Sequence, residues 1–114
     1  MYKILLVIVI LLILFSSIFS QSFFDIVSNG TPEEVQKAID AGANVNDRTS
    51  DGTTTLMYAA YFNQNPEVVT ILLKSGADGK LKDNEGKTAF YYAKDNENIK
   101  GTAAYWELND AQYK

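Results

Sequence analysis

Asp51-Gly52-Thr53-Thr54-Thr55-Leu56-Met57-Tyr58-Ala59-Ala60 recurs 34 residues later as Glu85-Gly86-Lys87-Thr88-Ala89-Phe90-Tyr91-Tyr92-Ala93-Lys94. The same offset carries Gly42-Ala43-Asn44 onto Gly76-Ala77-Asp78, and Val35, Ala38 and Ile39 onto Val69, Leu72 and Leu73. Within the stretch, Gly52 suits a turn with positive φ, and Thr54 is placed to cap a helix carrying Leu56, Ala59 and Ala60. Each unit therefore reads turn, helix, loop, helix. A unit this short cannot bury its apolar face alone, so a period near 34 predicts a stack in which each unit covers the next.

Working outward, the first unit runs from Phe23 to about Ser50. Phe23, Ile26 and Val27 give a short apolar helix face, which Asn29-Gly30 ends. Thr31-Pro32-Glu33-Glu34 reads as a helix start, with Thr31 as N-cap, Pro32 at the first position and Glu34 completing a capping box. Val35, Ala38 and Ile39 follow at helical spacing. Gly42 closes that helix, free to take the left-handed conformation a C-terminus often needs. No turn precedes this unit, so it reads as the N-terminal cap.

The second unit runs from Asp51 to about Asn84. Asn63-Gln64-Asn65 reads as a loop, Asn65-Pro66-Glu67 restarts a helix, and Val68 to Leu73 form its buried face. The third unit begins at Glu85. Asp95-Asn96-Glu97-Asn98 is polar and turn-prone, and Ile99 to about Gln112 is expected to form a last helix with Ala103, Trp106 and Tyr113 on one side. Trp106 is expected to cover the open end of the core.

The order Gly-x-Thr-x-Leu-x-x-Ala-Ala, apolar helix, Gly-Ala-Asn/Asp closely resembles the ankyrin repeat, over residues 23 to 94 or so. The extra residue in the Asn63-Gln64-Asn65 loop accounts for a period of 34 where the family's is 33. The family's proline is here Thr55 and Ala89, and its histidine is Met57 and Tyr91. The resemblance implies an all-α fold, an ankyrin-repeat helical solenoid with short β-hairpin-like fingertip turns. Repeats fall at about 23–50, 51–84 and 85–114. Tyr91, at the histidine place, is expected in the core. With the histidines gone, the turns are expected to be held by packing more than by polar bridges.

Residues 1–20 stand apart. Lys3 is followed by twelve apolar residues, Ile4 to Phe15, and then Ser16 and Ser17, the layout of a secretory signal. Even Ile4 to Phe19 spans only about 24 Å as a helix, short of a ~30 Å hydrocarbon core. Cleavage is expected after Ser20 or Ser22, leaving residues 21–114 as the ankyrin-repeat domain. The rival reading is an uncleaved anchor. No Cys follows the apolar run, so a lipid-anchored form is excluded.

The chain has neither Cys nor His. That removes disulfides, Cys/His zinc sites and His-dependent nucleophilic catalysis together. Loss of the first 20 residues removes one cation, Lys3, and no acid, taking the net charge from −4 to −5. Such a balance argues against nucleic acid or an anionic membrane surface as partner. Asp47-Arg48-Thr49-Ser50-Asp51-Gly52 looks like the start of a calcium loop, but Thr49 and Tyr58 occupy places that need ligands. Asp83, Glu85 and Glu97 read as solvated loop charges, and Lys80, Lys82 and Lys87 as a solvated hairpin.

What the resemblance does imply is a protein-binding surface, formed in the family by fingertips and inner helices around a concave groove. Carried over position by position, the fingertip places are Arg48, Ser50, Thr53, Lys82, Asn84 and Lys87. The inner-helix places are Tyr58, Tyr61, Phe62 and Tyr92. Aromatics flanked by Arg and Lys have the composition of interface hot spots. The competing reading is that some of these rings simply pack on neighbouring repeats. The function expected is a non-enzymatic protein–protein interaction module of the periplasm or secreted fraction, a short exported ankyrin protein of bacterial type. It would be a monomer, with a protein partner, no cofactor, no metal and no small-molecule substrate. The alternatives are a protective or immunity-type protein that neutralises a periplasmic or secreted protein, and a scaffold tethered to the inner membrane by an uncleaved leader.

Overall fold

The computed structural model describes residues 2–19 and 22–114, and the side chains of these except 11–19. The described residues form seven helices, α1 (Tyr2–Phe19), α2 (Phe23–Asn29), α3 (Pro32–Asp40), α4 (Thr55–Phe62), α5 (Pro66–Lys74), α6 (Ala89–Ala93) and α7 (Ala103–Ala111). Among them there is no strand, only an isolated antiparallel bridge between Arg48 and Thr54. From α2 onward the helices fall in pairs. α2, α4 and α6 pack in sequence as one layer, and α3, α5 and α7 as the other.

The first described residues of α1, Tyr2 to Ile10, are all exposed. No helix among the described residues is long and apolar enough to cross a membrane. The expected cut after Ser20 lies outside the described residues.

Local chemistry sets most helix ends. The side chains of Thr31, Thr54, Asn65 and Thr102 accept from the amides of Glu34, Met57, Glu67 and Tyr105 respectively, each satisfying a donor that the first turn leaves open. Pro32 and Pro66 occupy first-turn positions. The box expected at Thr31 is only half made, because among the described residues Glu34 returns no bond to the Thr31 amide. At Thr54 the box does close, and the returning acceptor is the Met57 sulfur, 3.3 Å from the Thr54 amide. Gly42 and Gly76, at φ 103° and 99°, follow the ends of α3 and α5.

Between the layers lies one core, with Val27, Val35, Leu56, Met57, Leu72 and Leu108 at 1% exposure or less. Ala59 and Ala60 are also fully buried. Burying each Val, Leu or Met side chain stabilises the stack by about 1.5–3 kcal/mol. Phe23 and Ile26 are half-buried against this core at its N-terminal end.

The last unit differs from expectation in three ways. First, the helix expected from Ile99 starts only at Ala103. Residues 97–101 are turns, Gly101 has φ 80°, and Thr102 supplies the cap. Ile99 is nonetheless fully buried. Second, the buried face of α7 is Ala104, Tyr105 and Leu108, while Trp106 is 56% exposed and Tyr113 80%. With the helix starting only at Ala103, Ala104, Tyr105 and Leu108 turn inward, and Trp106 lies edge-on to Tyr105, ring centroids 4.9 Å apart, with its indole in water. Third, Tyr91 is exposed rather than in the core. Its counterpart Met57 is buried in α4, against which both α2 and α6 pack; α6 has an inner-helix neighbour on one side only.

The turns are also more polar than expected. Arg48 donates through Nη2 to the Lys82 carbonyl at 2.5 Å, reaching the same place in the next unit. The Asn84 amide donates to the Asp51 carbonyl at 3.0 Å. Asn46 donates to the Gly76 carbonyl at 3.0 Å and accepts from the Asp78 amide at 2.8 Å. Arginine and asparagine thus take over the bridging that the missing histidines would supply. A deeper set of bonds joins the inner-helix ends. The Asn63 side-chain amide donates to the Val27 and Gly30 carbonyls, and that of Asn96 to the Ala60 and Asn63 carbonyls. Both asparagines are buried, although each stands in a stretch whose polarity reads as a surface loop.

Candidate functional site

The inner helices expose a ribbon of rings. Phe24 of α2 meets Tyr58 of α4 edge-on at a centroid distance of 5.1 Å, and Tyr58 lies 6.0 Å from Phe62. Tyr61 is 4.8 Å from Phe62 and 6.1 Å from Tyr92 of α6, which is 5.6 Å from Tyr91. The ribbon crosses all three units because residues three and four apart on α4 share a face and the neighbouring inner helices present rings at matching heights. Edge-on pairs contribute about 0.5–1.5 kcal/mol each beyond burial. Tyr61 and Phe62 nevertheless remain 46% and 54% exposed. The rings thus pack across repeats and still face water.

At the middle of the ribbon is a pocket of about 280 Å³, lined by Thr53, Met57, Tyr58, Tyr61, Phe62 and Tyr92. Five of these were expected on sequence grounds. Met57 was not, because it occupies the buried histidine place. Asp83 was also missed as a contributor. The Tyr92 hydroxyl donates to its Oδ2, while Oδ1 accepts from the amides of Glu85 at 2.9 Å and Lys87 at 3.0 Å. This fixes the Tyr92 ring against the third fingertip. The Asp83 bond pushes the Tyr92 hydroxyl up to about 12. Burial pulls the Asp83 carboxyl upward, but the bonds from Tyr92 and from the Lys87 and Glu85 amides outweigh it and hold the carboxyl below its usual range.

The remaining expected residues are spread along the fingertips. Arg48 is engaged with the Gly52 and Lys82 carbonyls, Ser50 is exposed at the tip, and Asn84 lies beneath Gly52. Lys82 and Lys87 line a different pocket, at the C-terminal end of the stack. Lys87 pairs with Glu85 at 2.8 Å, the one ion pair among the described residues. Its ammonium is held above its ordinary range by the Glu85 hydrogen bond. No group of His, Cys, Asp and Glu among the described residues is arranged to hold a metal ion.

Paired helices in two layers, polar turns that bridge successive units and a side-chain ribbon across the inner helices define a stacked-repeat binding protein. The chain belongs to the ankyrin-repeat family, whose three-copy model matches residues 23–103. Such repeats serve protein–protein interaction and the family is generally non-enzymatic. Among curated relatives, protein HOS4 of Saccharomyces cerevisiae is 34% identical over 74 residues, 65% of this chain and 7% of that protein. The E3 ubiquitin-protein ligase hecd-1 of Caenorhabditis elegans is 41% identical over 66 residues, 58% of this chain and 2% of that one. The chain thus spans less than a tenth of either relative. Among solved structures, it matches a chain in the complex of the Bd0816 predatory endopeptidase from Bdellovibrio bacteriovorus with the immunity protein Bd3460. There the TM-score is 0.66 and the identity 27%, over 81% of this chain and 46% of that one.

Proposed function

We propose that this protein is an exported, non-enzymatic module that binds a protein partner through the inner-helix face, with Tyr58, Tyr61, Phe62 and Tyr92 as anchors. The ribbon of half-exposed rings around the α4 pocket carries this reading. Large rigid aromatics bury much area at little entropic cost, which is why hot spots are rich in them. Arg48, Ser50, Thr53, Lys82, Asn84 and Lys87 supply polar contacts on the fingertips beside it. Export rests on the apolar leader of residues 1–20. Mass spectrometry of the mature N-terminus tests it: a chain beginning after Ser20 or Ser22 supports cleavage, and one beginning at Met1 supports the membrane tether.

The test of the surface is a Tyr61→Ala/Phe62→Ala variant. Both side chains are exposed, so helical circular dichroism should be unchanged while capture of the partner from a cell-envelope extract is lost. Undiminished capture would remove this face from consideration.

A second reading, protection against a secreted or periplasmic protein, is supported by the likeness to a chain of the endopeptidase–immunity complex. The acidic balance suits a basic target. Peptidase activity in an envelope extract, assayed with and without added protein, distinguishes the two: inhibition supports protection, and capture without inhibition supports a scaffold.

A further inference from the structure

The terminal face of the stack shares Tyr91, Lys82 and Lys87 with the ribbon and its fingertips and adds Lys94, Phe90 and Tyr113. A pocket of about 460 Å³ opens between the third fingertip, α6 and the end of α7, lined in part by Lys82, Lys87, Lys94, Phe90, Tyr91 and Tyr113. The Lys87 ammonium sits 4.7 Å from the Tyr91 ring centroid, and that of Lys94 sits 5.0 Å from Phe90 and 5.9 Å from Tyr91. Three cations line the pocket and no carboxylate does, in a chain of net charge −4.

Counted from the cap threonines Thr54 and Thr88, Tyr91 and Lys94 hold the places of Met57 and Ala60. Those two are at 1% and 0% exposure with α6 packed on α4. Anything packed on α6 in the same way has to supply a counter-charge to the Lys94 ammonium, because close packing alone cannot offset its desolvation. A second copy placed by two-fold symmetry would set the three lysines against the same three, which is repulsive.

We propose that this terminal face is a docking surface for a partner segment that alternates carboxylates with aromatic or other apolar side chains. Carboxylates would meet Lys82, Lys87 and Lys94, and the apolar groups would lie against Tyr91 and Tyr113. Lys82 and Lys94 are in no ion pair among the described residues. Lys87 is shared with Glu85, but the pair is solvent-exposed and readily exchanged for an incoming carboxylate. Cation–π attraction holds the Lys87 and Lys94 ammonium groups at the Tyr91 and Phe90 rings. The proposal does not depend on the α4 ribbon being a binding site.

The test uses the full chain in non-ionic detergent and a fluorescein-labelled decapeptide of alternating Glu and Phe, read by anisotropy. Binding is expected at low salt and should weaken at high salt, as screening requires. The Lys82→Gln/Lys94→Gln variant should bind up to about tenfold more weakly, the scale of two surface charge pairs. Tyr91→Ala should also bind more weakly, and Lys37→Gln, at an exposed lysine of α3 in the first unit, should be unchanged. All these variants alter exposed or half-exposed positions, and circular dichroism checks that they fold. Equal binding of a Gln-Phe decapeptide, undiminished binding by the lysine variant, or no binding of the Glu-Phe peptide would overturn the proposal.

Discussion

The Asn96 side-chain amide donates to the Asn63 backbone carbonyl at 2.8 Å, and Asn63 in turn donates to the Gly30 carbonyl at 3.1 Å. Each asparagine also reaches one carbonyl further back, Ala60 for Asn96 and Val27 for Asn63. Two buried amides thus tie three units in series. Asn96→Ala would leave two buried carbonyls without this donor, and Asn63→Ala one buried and one part-buried, at a cost of about 2–3 kcal/mol. Urea unfolding of Asn63→Ala and Asn96→Ala should show losses of this size for both.

The second prediction concerns pH. The Tyr92 hydroxyl is raised from 10.0 to about 12 by its bond to Asp83. The folded state therefore holds the proton more tightly, so this bond's stabilisation is full below pH 10 and is lost as pH rises toward 12. Asp83 is depressed in the folded state, so its contribution is present above its usual range and is lost as pH falls below it. Tyrosine ring-carbon NMR should place the Tyr92 midpoint at about 12. Asp83→Asn should bring it back toward 10, whereas a Tyr92 midpoint unmoved in that variant would refute the assignment.

At the second fingertip, Gly52 has φ 81°, and an added Cβ would lie 3.0 Å from the Asn84 Oδ1 and 3.3 Å from its amide nitrogen. Left-handed backbone alone costs an L-residue about 1–2 kcal/mol, so Gly52→Ala should destabilise by at least that much. The contact with Asn84 also disturbs the bond from its amide to Asp51. Thermal unfolding measures the loss, and a variant as stable as the parent would contradict the fingertip geometry.

The last helix gives a paired prediction. Leu108 is 1% exposed and Trp106 is 56% exposed. Leu108→Ala should cost about 3 kcal/mol through lost burial and the cavity left behind. Trp106→Ala should cost less than about 1 kcal/mol, because it removes little beyond the edge contact with Tyr105. Trp106 is the sole tryptophan, so its fluorescence should emit as a water-exposed indole and shift little on unfolding.

Removal of α7 should abolish cooperative unfolding. The helix packs on both α5 and α6, and its loss would bare the faces of those helices that it covers. With three units, the remaining interfaces are too few to stabilise the stack. Circular dichroism of a chain ending at Lys100 should show much less helix than the full protein.

The amino-acid sequence by itself determined the register. The 34-residue echo of Asp51–Ala60 in Glu85–Lys94, the caps at Thr31, Thr54 and Asn65, and Gly42 and Gly76 after their helices all act over a few residues. Their physics is complete in the local string. Composition likewise fixed which chemistry is absent, since a chain without Cys or His holds none of it in any fold.

Only the tertiary structure decided which polar residues are interior and which rings are not. Asn63 and Asn96 read as loop residues because their partners, the carbonyls of Val27, Gly30, Ala60 and Asn63, lie 33 or 36 residues away and are backbone atoms, invisible to any pattern of side chains. Tyr91 reads as core because its echo Met57 is core, yet burial needs a neighbour and α6 has one on a single side. Trp106 faces water because the turns at 97–101 delay the start of α7 to Ala103, and Ala104, Tyr105 and Leu108 then take its buried face. Periodicity specifies the shape of a repeat; its position in the stack specifies what each face meets.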